Sequence, residues 1–136
     1  MFKPKGTVQI EGLSLNRDSL ATIIKGSGRG QSLGLATINL RPTQKLSIKY
    51  GVYLASVKIK HQTHQGLLHF GPRPTFNEKE PSLEIYLQKH DPNVKIGLTV
   101  KIKLLKFRRK IQRFKTPKDL VKQMKKDAKI LEEFYA

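Results

Sequence analysis

The sequence predicts a mainly β fold in which several short strands close into a barrel flanked by one C-terminal helix. Three observations carry that expectation: short segments that alternate apolar and polar residues, turn-forming residues between them, and a switch to a helical period near the C-terminus.

Residues 7–10, Thr-Val-Gln-Ile, have the composition of a strand, and the polar run 14–19 reads as a loop after it. Strand character resumes at Ala21 and runs through Thr22, Ile23 and Ile24 into a glycine-rich stretch, Gly26-Ser27-Gly28-Arg29-Gly30. In residues 51–60, Tyr53, Ala55, Val57 and Ile59 fall on one face while Ser56, Lys58 and Lys60 take the other, the pattern of a half-buried strand. Residues 66–70, 82–87 and 99–104 read as further short strands. At the end of the chain Thr116 is placed to cap a helix begun by Pro117. Leu120, Met124, Ala128 and Leu131 then recur at steps of four and three, which makes the helix amphipathic.

A chain of 136 residues has room for one domain. No stretch approaches the roughly 20 consecutive apolar residues of a membrane span, so no membrane role is expected. The basic N-terminus is not followed by an apolar segment and cleavage site, which leaves secretion unsupported and a cytoplasmic location expected. The absence of cysteine excludes disulfides, thiolate nucleophiles and cysteine-based zinc sites. Lys and Arg total 27 against 10 Asp and Glu, and the resulting charge of +17 attracts polyanions. A basic barrel that binds RNA or single-stranded DNA is therefore one reading. Against it, the densest basic run, 101–113, alternates with apolar residues and lacks an aromatic series on which several bases would stack.

The glycines at 26, 28 and 30 let backbone N–H groups approach a phosphate, with Lys25 and Arg29 adding charge. The segment lacks the Gly-Lys-Ser/Thr ending of a P-loop, and a hairpin or surface loop fits it equally. Thr37 and Asn39 stand two residues apart, so in a strand they share a face and present hard oxygen donors suited to magnesium. A solvent-facing pair has the same spacing. Glu84 lies opposite the apolar face formed by Leu83, Ile85 and Leu87, so packing does not require it, and a carboxylate there is a candidate general base or a solvated side chain. His61, His64, His69 and His90 show no metal-ligand spacing and read as surface or hydrogen-bonded histidines.

Taken in order, these segments resemble the riboflavin kinase family. The block from Gly26 through Ser32-Leu33-Gly34-Leu35-Ala36-Thr37-Ile38-Asn39 is similar to its glycine-rich flap and Pro-Thr-Ala-Asn signature. Gly51-Val52-Tyr53, Gly71-Pro72-Arg73-Pro74-Thr75-Phe76 and Leu83-Glu84 follow, and Gly97, Arg109, Phe114, Leu120 and Asp127 complete the pattern. The departures are Ala36 for the signature proline, Ile38 for its alanine, Ile96 for the aromatic before Gly97, and Ile111 at a commonly acidic position.

The resemblance implies a six-stranded antiparallel Greek-key barrel with a C-terminal helix over residues 21–136, residues 1–20 being an extension or linker. It implies ATP-dependent conversion of riboflavin to FMN by a monomer. Gly26, Gly28, Arg29 and Gly30 would lie over the ATP phosphates, Thr37 and Asn39 would bind those phosphates and Mg2+ or another divalent ion, and Glu84 would activate the ribityl 5′-hydroxyl. The flavin would sit between barrel and helix near Arg109. A degenerate relative that binds flavin nucleotide without turnover is the third reading.

Overall fold

The computed structural model describes residues 18–26, 37–43, 48–77, 80–87, 89 and 91–135. The segment 7–10, the flap residues Gly28, Arg29 and Gly30, Ala36 and His90 lie outside the described residues. Six strands, β1 (Asp18–Ile24), β2 (Thr37–Pro42), β3 (Gly51–Ile59), β4 (Gln62–Gly71), β5 (Ser82–Leu87) and β6 (Thr99–Arg109), precede one helix, α1 (Pro117–Tyr135). All pairings are antiparallel, and the order β1-β2-β5-β4-β3-β6 closes on itself where β6 meets β1, in the Greek-key arrangement expected.

Period-two alternation decides the two faces of the wall. Ile23, Leu40, Tyr53, Val57, Ile85 and Leu104 point inward and form one buried cluster. Tyr53 satisfies its hydroxyl by donating to the Lys49 carbonyl at 2.6 Å. Burial pushes its ionisation up to about 12, so it is a neutral core residue with a tied end. Ile38, a departure from the family signature, is also an inward residue, 5% exposed. Its extra bulk fills core and leaves the outward faces of Thr37 and Asn39 unchanged.

Three strands are longer than their apolar pattern predicts. β1 begins at Asp18, inside the polar run read as loop. β4 begins at Gln62 because the tight turn at Lys60 and His61, with Lys60 at φ 55°, hands the chain straight back along β3. β6 runs on to Arg109, with register shifts against β3 that bend its last turn of pairing. Asp91, in the β5–β6 connection, accepts from His64 Nε2 and from the Asn93 N–H, both at 2.7 Å. His64 is thus a hydrogen-bonded histidine, and these partners hold the Asp91 carboxyl below its usual range.

The helix covers part of the barrel's outer face. Thr116 Oγ1 accepts from the Asp119 N–H at 3.2 Å, the cap expected from the sequence. Leu131 packs with Val52, Leu54 and Leu67 in a second buried cluster outside the barrel, joined by Tyr86 and Ala128. Among the described residues no helix is long and apolar enough to cross a membrane. Truncating Leu131 to alanine leaves a void between helix and wall that neither rigid partner can close. We expect L131A to lose about 3 kcal/mol of stability in urea denaturation; a loss below about 1 kcal/mol would show that the helix is not held by this contact.

Candidate active site

Antiparallel register lines up outward residues across five strands. Asn39 pairs with Glu84, Glu84 with His69, His69 with Val52, and Val52 with Arg109. A parallel row runs Thr37, Tyr86, Leu67 and Leu54. Residues directly opposite in such a ladder have Cβ atoms about 5 Å apart. Residues scattered over the chain from 37 to 109 therefore form one continuous surface.

Two clefts adjoin on this surface. The first lies between the wall and α1, lined by Thr37, Glu84, His69 and Arg109 from the strands and by Leu120 and Met124 from the helix. Its far side is the loop after β6, stitched to the 3₁₀ turn Pro74–Phe76 by two contacts. The Phe114 N–H donates to Thr75 Oγ1 at 3.0 Å, and Arg113 Nη2 donates to Asn77 Oδ1 at 2.6 Å. Ile111, where an acidic residue is usual in the family, also lines this cleft and packs over Gly71. Gly71 has φ 132°, and a Cβ there would strike Ile111 and Tyr50. The second cleft is lined by Lys25, Gly26, Asn39 and Arg41.

The helix is locked over the first cleft by Asp127, which is fully buried. Arg109 meets its Oδ2 at 3.0 Å, while Arg108 at 3.3 Å and Gln123 at 3.1 Å donate to Oδ1. Charge-assisted donors on both oxygens supply the compensation that a buried carboxylate requires. Arg109 therefore has a positioning task as well as a place in the cleft lining.

Of the residues singled out in the sequence, Thr37, Glu84 and Arg109 line the first cleft, while Gly26 and Asn39 line the second. The Asn39 carboxamide lies directly on Gly26, so any Cβ at 26 would occupy the space of that side chain. A hydroxyl and a carboxamide oxygen on one strand face, the second beside a glycine that leaves it room, fit a hard cation that takes its remaining ligands from phosphates. Among the described residues no group of three or more His, Asp or Glu could hold a metal ion instead.

His69 corrects the sequence reading. The sequence reads it with the other histidines as surface or hydrogen-bonded, yet it lines the cleft beside Glu84 and its Nδ1 is buried without a hydrogen-bond partner. Burial, followed by the positive charges of Arg73 and Arg109, lowers its pKa to about 4. No spacing rule flags it, because its neighbours come from other strands.

With this geometry in place, comparison with known proteins gives a consistent result. A sequence model of the flavokinase (riboflavin kinase) family matches residues 16–135. The chain is 30% identical over 117 residues to a bifunctional riboflavin kinase/FMN adenylyltransferase of Listeria monocytogenes, covering 85% of this chain and 37% of that protein. It is 32% identical over 107 residues to an RNA-binding riboflavin kinase of Bacillus subtilis, covering 78% and 46%. Among solved structures, a Streptococcus pneumoniae protein described as a macrolide-efflux protein superposes with a TM-score of 0.73 at 26% identity, covering 85% of this chain and 38% of that one. The chain belongs to the riboflavin kinase family, and it spans less than half the length of these relatives.

The low pKa of His69 has a consequence for stability. The fold holds the imidazole neutral, so as pH falls below about 6.5 the unfolded chain takes up the proton first. Stability is then lost through the window from 6.5 down to about 4, by about 3 kcal/mol at most from this group. Chemical denaturation across that window should show the extra acid-side loss in the wild type and not in H69Q; parallel curves would mean that His69 titrates normally in the fold.

Proposed function

We propose that the chain catalyses transfer of the γ-phosphoryl group of ATP to the 5′-hydroxyl of riboflavin, giving FMN and ADP. The observation that carries this reading is the pairing of Asn39 with Glu84 at the junction of the two clefts. It sets a candidate general base directly beside a candidate phosphate and metal site.

The barrel β1–β6 and its helix form the catalytic unit in this reading. ATP lies with its phosphates over Gly26 and Asn39, and Gly28, Arg29 and Gly30 are assigned to the phosphates on their sequence alone, glycine N–H groups and an arginine being suited to phosphate oxygens. Thr37 and Asn39 hold a divalent cation, magnesium by the hardness of their oxygens, and such an ion supplies charge neutralisation on the phosphates when bound. The flavin ring lies in the cleft under α1 against Leu67, Tyr86, Phe114 and Met124, with its ribityl chain directed at Glu84. The Glu84 carboxylate takes the hydroxyl proton as the oxygen bonds to the γ-phosphorus and the bond to ADP breaks. His69, neutral at working pH, adds no competing positive charge beside that carboxylate.

The RNA-binding name of the Bacillus subtilis relative and the charge of +17 are the arguments for a nucleic-acid partner. The aromatic residue within the basic strand β6, Phe107, packs edge-on against Tyr53 and under Lys49, which withdraws it from base stacking. The kinase reading accounts for more of the site.

FMN formation from riboflavin, ATP and magnesium tests the proposal, with E84Q in parallel. We expect turnover to fall at least ~100-fold in E84Q while nucleotide affinity stays within ~2-fold, because the carboxylate is needed in the chemical step. Unchanged turnover would remove Glu84 from this role. A wild type that binds flavin without phosphorylating it would point to the degenerate binder.

A further inference from the structure

We propose that Arg73 is a catalytic residue, its guanidinium receiving the negative charge of the phosphoryl group as that group passes from ATP to the acceptor hydroxyl. The inference rests on the phosphotransfer reading above and assigns a role to a residue that reading does not use.

Among the described residues, Arg73 is the one that lines both clefts. If phosphates occupy the cleft of Gly26 and Asn39 and the acceptor hydroxyl lies at Glu84, the transferred group crosses the boundary where Arg73 stands. The boundary is shielded, since the Arg73 side chain is 14% exposed and that of Glu84 is 17% exposed. Screening there is weaker than at an open surface.

The backbone at this position is held on both sides. Arg73 sits between Pro72 and Pro74, and Pro74 confines the residue before it to extended conformations. The observed φ of −105° and ψ of 85° at the start of the 3₁₀ turn keep Arg73 out of the helical region that Pro74 disfavours. The turn is further tied to the loop after β6 through Thr75. A cation on such a mount pays little reorganisation when charge develops beside it.

A purely structural role, clamping the end of β4 to β5 through Glu84, is the competing explanation. The contact geometry argues against it. Arg73 Nη1 meets Glu84 Oε2 at 3.3 Å. Charge-assisted pairs are usually shorter, about 2.7–2.9 Å, so this contact alone is a weak clamp. The guanidinium is near enough to orient the carboxylate and is planar, so it suits the equatorial oxygens of a phosphoryl group. Its charge is already felt within the first cleft at His69.

The test is steady-state kinetics of FMN formation with R73A and R73Q, alongside riboflavin binding by flavin fluorescence and addition of methylguanidinium. We expect kcat to fall at least ~100-fold in both variants, riboflavin affinity to stay within ~3-fold, and methylguanidinium to restore at least ~10-fold of the lost turnover in R73A, because it returns the missing group without restoring a clamp. A kcat within ~3-fold of wild type in the variant that folds overturns the proposal. So does a loss confined to riboflavin affinity with no response to methylguanidinium. A wild type that forms no FMN overturns the phosphotransfer reading itself, and Arg73 with it.

Discussion

The antiparallel register of a closed barrel is the constraint on which the rest of this structure depends. Closure commits every second residue of each strand to a filled interior, so a small barrel of six strands has no internal room for a substrate. Chemistry is displaced to the outer wall, where register alone decides which side chains meet. A slip of one residue between β2 and β5 would turn Asn39 inward and bring Ile38 to the surface beside Glu84. The alternation that builds the core is thus the same feature that aligns Asn39, Glu84, His69 and Arg109 outside it.

An outer wall by itself is open to water, and α1 converts it into a cleft. Two interactions set the helix in place and differ in character. Leu131 supplies apolar contact near the C-terminal end, against Val52, Leu54 and Leu67. Asp127, one turn earlier, supplies direction, since a buried carboxylate tolerates only a position that keeps its arginine and glutamine donors. Together they fix the rotation of the helix about its axis, which brings Leu120 and Met124 over the cleft. Lys118, Lys122, Lys125, Lys126 and Lys129, on the rest of the helix surface, are left to solvent.

The fold was legible in the sequence because its signal is local. Alternation in 51–60, 82–87 and 99–104 marked three strands, and the Thr116–Pro117 start with its four- and three-residue steps marked the helix. Segments without apolar contrast were missed: Asp18 and Ser19 extend β1, and Gln62 to Gln65 extend β4, through ladder partners on neighbouring strands. The site was legible only in part. Thr37, Asn39 and Glu84 stood out because polar side chains on half-buried strands need no explanation from packing, and the resemblance to the family gave them roles. His69 did not stand out, since its place beside Glu84 and its alignment with Arg109 arise from pairing between strands. The departures at Ile38 and Ile111 have reasons that only the fold supplies, one as core filling and the other as cleft wall over Gly71.

In the proposed function the acceptor flavin binds outside the barrel, under α1, with its ribityl end at Glu84. A crystal structure of the protein with riboflavin, ADP and magnesium tests it most directly. We expect the flavin ring between Tyr86 and Met124, its terminal hydroxyl within hydrogen-bond distance of Glu84, and the nucleotide phosphates beside Gly26 and Asn39. A flavin bound elsewhere on the barrel, or nucleotide phosphates remote from Asn39, would contradict it.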